Sequence, residues 1–166
     1  MKKCAMLVFI FLSILSLTVG CGSNSQPGGT EPSVPSNPTQ TLVPKSQSLI
    51  NAIIAVNPVE YYDFGFSVDA DKIQEARIVG SFKSKAYGGS VNDIIVLIMD
   101  DAAFNTWKNH QQVSMLYNSG KSATGEIDIA IAKPGQYHII FDNTFSPSSP
   151  KDAKDVTTKV YLKWSE

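Results

Sequence analysis

The chain has 166 residues, with 14 Lys and Arg against 15 Asp and Glu, 43% hydrophobic and 10% aromatic residues. That near-neutral balance supplies no basic field for nucleic acid, and two cysteines are too few for a disulfide framework. The length allows a leader and one domain with a real core.

The first element is an N-terminal signal. Lys2 and Lys3 precede the apolar run AMLVFIFLSILSL from Ala5 to Leu17, too short for a comfortable membrane span of about 20 residues. The small residue Gly20 stands where a peptidase cuts, directly before Cys21. The segment LTVGC resembles a bacterial lipobox, although Leu17 lies four places before the cysteine and Thr18 takes the usual leucine place. The resemblance implies cleavage between Gly20 and Cys21 and lipidation of Cys21, the alternative being an ordinary secretory signal beside a coincidental cysteine. Two or three acyl chains, at about 0.8 kcal/mol per buried methylene, would hold the protein on a bilayer. The membrane is thus the first expected partner. Gly22 is not the aspartate that favours inner-membrane retention in some two-membrane bacteria, so the expected location is the cell envelope, on the outer face of the cytoplasmic membrane or on the outer membrane. Cys4 leaves with the signal, so the mature chain keeps no thiol for catalysis or metal binding.

Residues 21–45 read as the lipidated cysteine and a tether. In Gly22 to Lys45, 19 of 24 residues are Gly, Pro, Ser, Thr, Asn or Gln, a composition that cannot bury enough surface to fold.

Residues 46–166 read as one domain, carrying 12 basic and 15 acidic residues together with the tether, a net charge of −3 once the leader is removed. The period is two almost throughout. YYDFGFSVD sets Tyr62, Phe64, Phe66 and Val68 on one face; EIDIAIA does so with Ile127, Ile129 and Ile131; VTTKVYLKW does so with Val156, Thr158, Val160, Leu162 and Trp164. IIVLIM at 94–99 is apolar on both faces and predicts a central strand covered on both sides. Further strands are expected in LINAIIAV, ARIVGSFKS, SMLYNS and QYHIIFD, with turns at Asn57-Pro58, 69–72, Gly88-Gly89, Ser119-Gly120, Pro134-Gly135 and 146–150. Only DDAAFNTWKNHQQ reads as helical, capped by Asp100 or Asp101. The expected fold is all-β: a single antiparallel sandwich of about eight strands, jelly-roll or Greek-key in connection, with one short helical turn.

The order of features resembles a GOLD-type domain, the lumenal β-sandwich of eukaryotic early-secretory cargo receptors. It consists of an aromatic strand, VGSF, a Gly-Gly loop before NDIIVLIMDD, a Trp within ten residues, LYNSG, PGQYHIIFDNTFS and a long last strand. The resemblance implies the sandwich and a non-enzymatic interaction role. This chain lacks the paired cysteines and the C-terminal span of the eukaryotic proteins, so cargo sorting is not carried over.

Chemistry-bearing residues are few. His110 and His138 belong to no H-E-x-x-H motif and no G-x-S-x-G motif is present, so no enzyme and no cofactor are expected, and His138 is read as a surface or edge residue. Asp100, Asp101 and Asn105 are weak calcium candidates, against a bland reading as caps and turn residues. Trp107 with Phe104 and Tyr117 is a candidate ligand surface for a saccharide, against a reading of Trp107 and Phe104 as a core plug. Gly88-Gly89 is expected to need positive φ. Asp142-Asn143 is read as a strand-ending corner rather than a site, with Phe145 returning to the core. The expected role is a lipid-anchored, extracytoplasmic binding or interaction module for an envelope protein; the alternative is a carbohydrate- or envelope-polymer-binding sandwich centred on Trp107.

Overall fold

The computed structural model describes residues 41–166. The expectations for Gly20, Cys21 and most of the tether lie outside the described residues. Among the described residues eight strands form in chain order: β1 (Pro44–Val56), β2 (Tyr61–Val68), β3 (Arg77–Ala86), β4 (Ile94–Asp100), β5 (Tyr117–Ser122), β6 (Thr124–Ala130), β7 (Gly135–Asp142) and β8 (Lys154–Ser165). The helix α1 (Asp101–Trp107) follows β4, and 3-10 turns occupy Ala70–Lys72 and Pro150–Asp152. Among the described residues no helix is long and apolar enough to cross a membrane.

Two antiparallel four-stranded sheets result, ordered β1-β8-β3-β6 and β2-β7-β4-β5. The pairs β1–β8, β2–β7, β3–β6 and β4–β5 nest inside one another, like one long hairpin with its tip at β4–β5. Rolling that hairpin up adds β3–β8 and β4–β7, which completes each sheet. This is the jelly-roll arrangement expected from the spacing of strands and turns.

The alternation read from sequence decides which side chains fill the space between the sheets. Phe66, Val68, Ile78, Phe82, Ile127, Tyr137, Ile139, Phe141, Val156, Val160 and Leu162 belong to one continuous core there. Ile94, Val96 and Ile98 of β4 join it, whereas Leu97 and Met99 point to the opposite face and meet Phe104 and Ile140 in a second cluster. The doubly apolar strand is therefore covered on both sides, its outer face by α1 and the loop after it. Gly80 lies where β3 and β8 approach too closely for a side chain: an added Cβ would strike the Lys159 carbonyl and stand 2.9 Å from Val160 Cα.

Several boundaries and roles differ from expectation. The sheet takes in Pro44 and Lys45, and Val43 exchanges backbone hydrogen bonds with Glu166, so the domain begins earlier than residue 46. β5 begins at Tyr117 rather than Ser114, because Val113 and Met115 satisfy their apolar character against the second cluster without entering a ladder. Gly88 and Gly89 do not take positive φ; their amides both donate to the Lys151 carbonyl, and a Cβ on Gly89 would stand 2.7 Å from Asp152 Oδ1, so crowding selects glycine there. Gly135 does take it, at φ 153°. Phe145 is only half-buried and joins neither cluster; Lys121 Nζ stands 4.3 Å from its ring centre.

Candidate functional site

The second cluster places the aromatic residues. Asp100 caps α1, its Oδ1 accepting from the Ala103 amide at 2.8 Å, and the helix lays Phe104 onto Leu97, Met99 and Ile140. Trp107, one turn on, is half-buried at the edge of the same cluster. Of the expected platform, Phe104 is core, at 6% exposure, and its ring lies nearly parallel to Trp107 with centres 6.2 Å apart.

Tyr117 is not part of that surface. It packs on the core between the sheets, its hydroxyl donating to the Glu126 carbonyl at 2.9 Å, and burial, with Glu126 adding, pushes its phenol upward. Period two explains the separation: Tyr117 points inward across from Ile98. Tyr61 stands in its place, edge-on to Trp107 at 5.0 Å and to Phe104 at 6.4 Å. Tyr61 occupies the outward phase of β2, opposite the inward one of Tyr62, Phe64 and Phe66, and only the location of α1 reveals why it matters.

The calcium candidates are already engaged by the protein. Asp100 caps the helix, Asn105 donates to Asp101 Oδ2 at 2.9 Å, and Asp101 Oδ1 faces His138 Nε2 at 3.3 Å. Among the described residues no group of three or more His, Cys, Asp or Glu side chains is placed to hold a metal.

His138 also departs from expectation. It lies beneath the helix, not on the surface: its ring stacks on Phe104 with centres 4.0 Å apart, and Nδ1 meets the Asp63 carboxylate at 2.9 Å. A carboxylate from β2 and one from α1 thus bracket one imidazole on β7. Both nitrogens donate together only when the ring carries two protons. His110 lies away from it, exposed in the loop after α1 with φ 57°, its amide donating to the Trp107 carbonyl.

The corner at Asp142-Asn143 proves to be two residues with different duties. Asn143 is completely buried; its amide nitrogen donates to the carbonyls of Asn57 at 3.1 Å, Asp152 at 3.0 Å and Val56 at 3.4 Å, and its Oδ1 accepts from Ser146 Oγ. Asp142 Oδ1 accepts from the Thr144 amide at 2.8 Å, the strand-ending bond expected of it. Yet Asp142 is also opposite Tyr61 in the ladder, on the outward face, and both line one cleft.

That cleft, about 770 Å³, lies between the outer face of the β2-β7-β4-β5 sheet and the loop that follows α1. Tyr61, Trp107, Val113 and Met115 give it apolar wall; Gln111, Gln112, Asn118, Asp142 and Thr144 give it polar atoms; Lys108 and His110 also border it. It has the size and the mixture of apolar wall and few polar groups usual for small-ligand sites. No family model matches the chain, and no curated protein does.

Proposed function

We propose that this is a lipid-anchored, extracytoplasmic binding module of GOLD-like type, non-enzymatic in role, whose site is the cleft beside Trp107. The observation that carries the reading is the half-buried indole, held edge-on by Tyr61 at 5.0 Å at a cleft with amide and carboxylate walls. An indole wholly in the core would serve packing alone. The order of sequence features and the eight-stranded sandwich support the GOLD-like assignment; the lipobox-like LTVGC supports the anchor at Cys21.

Two measurements test the two halves. Metabolic labelling with a radioactive fatty acid should mark the full chain and leave Cys21→Ala unlabelled; equal labelling of both ends the anchor reading. Purified full-length protein in detergent should sediment with delipidated cell-envelope fragments, and Trp107→Ala should stay in solution while keeping a cooperative melting transition, at a lower temperature because the indole's packing is lost. Equal sedimentation of the two removes the cleft as the site.

A further inference from the structure

We infer that the cleft takes an uncharged, hydroxyl-rich ligand, a neutral saccharide, and that Asp142 is the carboxylate that selects it; this rests on the cleft being the binding site. Asp142 is only 7% exposed, and its Oδ1 is already used by the Thr144 amide. Its Oδ2 has no hydrogen-bond partner among the described residues, although the side chain lines the cleft. That oxygen keeps access to the cleft, since Ser84 Oγ alone is a buried side-chain oxygen or nitrogen without a partner among the described residues; a carboxylate oxygen accepts and never donates, so it offers the cleft an acceptor for a ligand hydroxyl.

The rest of the lining narrows which donor. An anionic ligand would bring a second negative charge against Asp142 in a shielded setting, and an ammonium would meet Lys108, whose Nζ lies 4.5 Å from the Phe104 ring centre beside the cleft. The side chains of Gln111 and Gln112 each offer donors and an acceptor, and Asn118, whose Oδ1 already accepts from the Gly120 amide at 2.8 Å, adds amide hydrogens, which matches hydroxyls that both give and take. The amides of residues 112–115 also find no backbone acceptor among the described residues. Opposite these polar groups stand Trp107, Tyr61, Val113 and Met115, a surface suited to the apolar C–H face of a sugar ring.

The test is affinity electrophoresis of the full-length protein in detergent. The gels carry a neutral mixed-linkage β-glucan, a galactomannan or a xylan, with anionic polygalacturonate and cationic chitosan as charged probes. At least one neutral polymer should retard the protein. Trp107→Ala should abolish that retardation, and Asp142→Asn, which keeps the oxygen that accepts from Thr144 but replaces the free one by a donor, should weaken it about tenfold or more with an unchanged melting temperature. Retardation by a charged polymer alone, or by none, overturns the ligand class; Trp107-dependent sedimentation with envelope fragments would then still support the cleft as a site. Undiminished retardation of Asp142→Asn returns Asp142 to a purely structural corner and overturns its assignment.

Discussion

Asn143 shows how much one side chain can hold. Its amide ties together the turn after β1, the end of β7 and the segment before β8, all without access to water. Replacing it by alanine strands these carbonyls and the Ser146 hydroxyl, at about 1 kcal/mol or more for each group left unpaired. Asn143→Ala should therefore lose about 3 kcal/mol in urea denaturation, and a loss under 1 kcal/mol would show that water replaces the side chain. The buried phenols make stability depend on pH. Burial, with Asp100 adding, raises the Tyr137 phenol, and its hydroxyl donates to the Lys133 carbonyl at 2.7 Å; Tyr117 is raised similarly. Above the ordinary value of 10.0 the unfolded chain gives up these protons before the folded one does. The stabilisation is thus full below that pH and fades as pH climbs through the raised folded values. Tyr137→Phe should lower stability at neutral pH but flatten its decline in alkali, as equilibrium unfolding from pH 7 to 11.5 would show; parallel declines would rule this out.

At the scale of elements, α1 behaves as a separate plate fastened to the outer sheet face. Its attachments are Phe104 in the second cluster and the Asp63–His138–Asp101 bracket, whose two carboxylates come from β2 and α1. His138→Ala removes the stacking partner of Phe104 and leaves Asp63 without its partner, an expected cost of about 1–3 kcal/mol. Amide exchange should quicken selectively in Asp101–Trp107 while the strands between the sheets stay protected; uniform quickening would mean that the plate and sandwich open together. The strands themselves were legible because period two assigns each side chain to a face, as in Val156 to Leu162. The helix was legible from its capping aspartates, and so was the double covering of β4 from its unbroken apolar run. What was illegible is whatever depends on how α1 lies across the sheet. Tyr61, in the outward phase of β2, and His138, in that of β7, become neighbours of Phe104 only through that placement. Tyr117 misled for the converse reason: proximity in sequence to Trp107 does not put it on the same face.

For the whole molecule, the nested pairing makes the ends decisive. β1 and β8 join nearly the first and last described residues, from Pro44 against Ser165 to Val56 against Lys154, and among the described residues β8 is the one ladder partner of β1. Each outer pair closes a longer loop than the pair within it, so entropy favours formation from the β4–β5 tip outward, with β1 arriving last. Folding through such non-local contacts belongs in the range of milliseconds to seconds, which stopped-flow refolding would measure; microsecond folding would contradict the topology. β1 nonetheless cannot be dispensable, because Ile50, Ile54 and Val56 complete the core against Val156 and Val160. Deleting residues 41–56 should abolish the cooperative unfolding transition, since seven strands would leave that apolar surface and the backbone edge of β8 open to water. A sharp transition retained by the truncated protein would instead show that the fold needs only the inner three pairs.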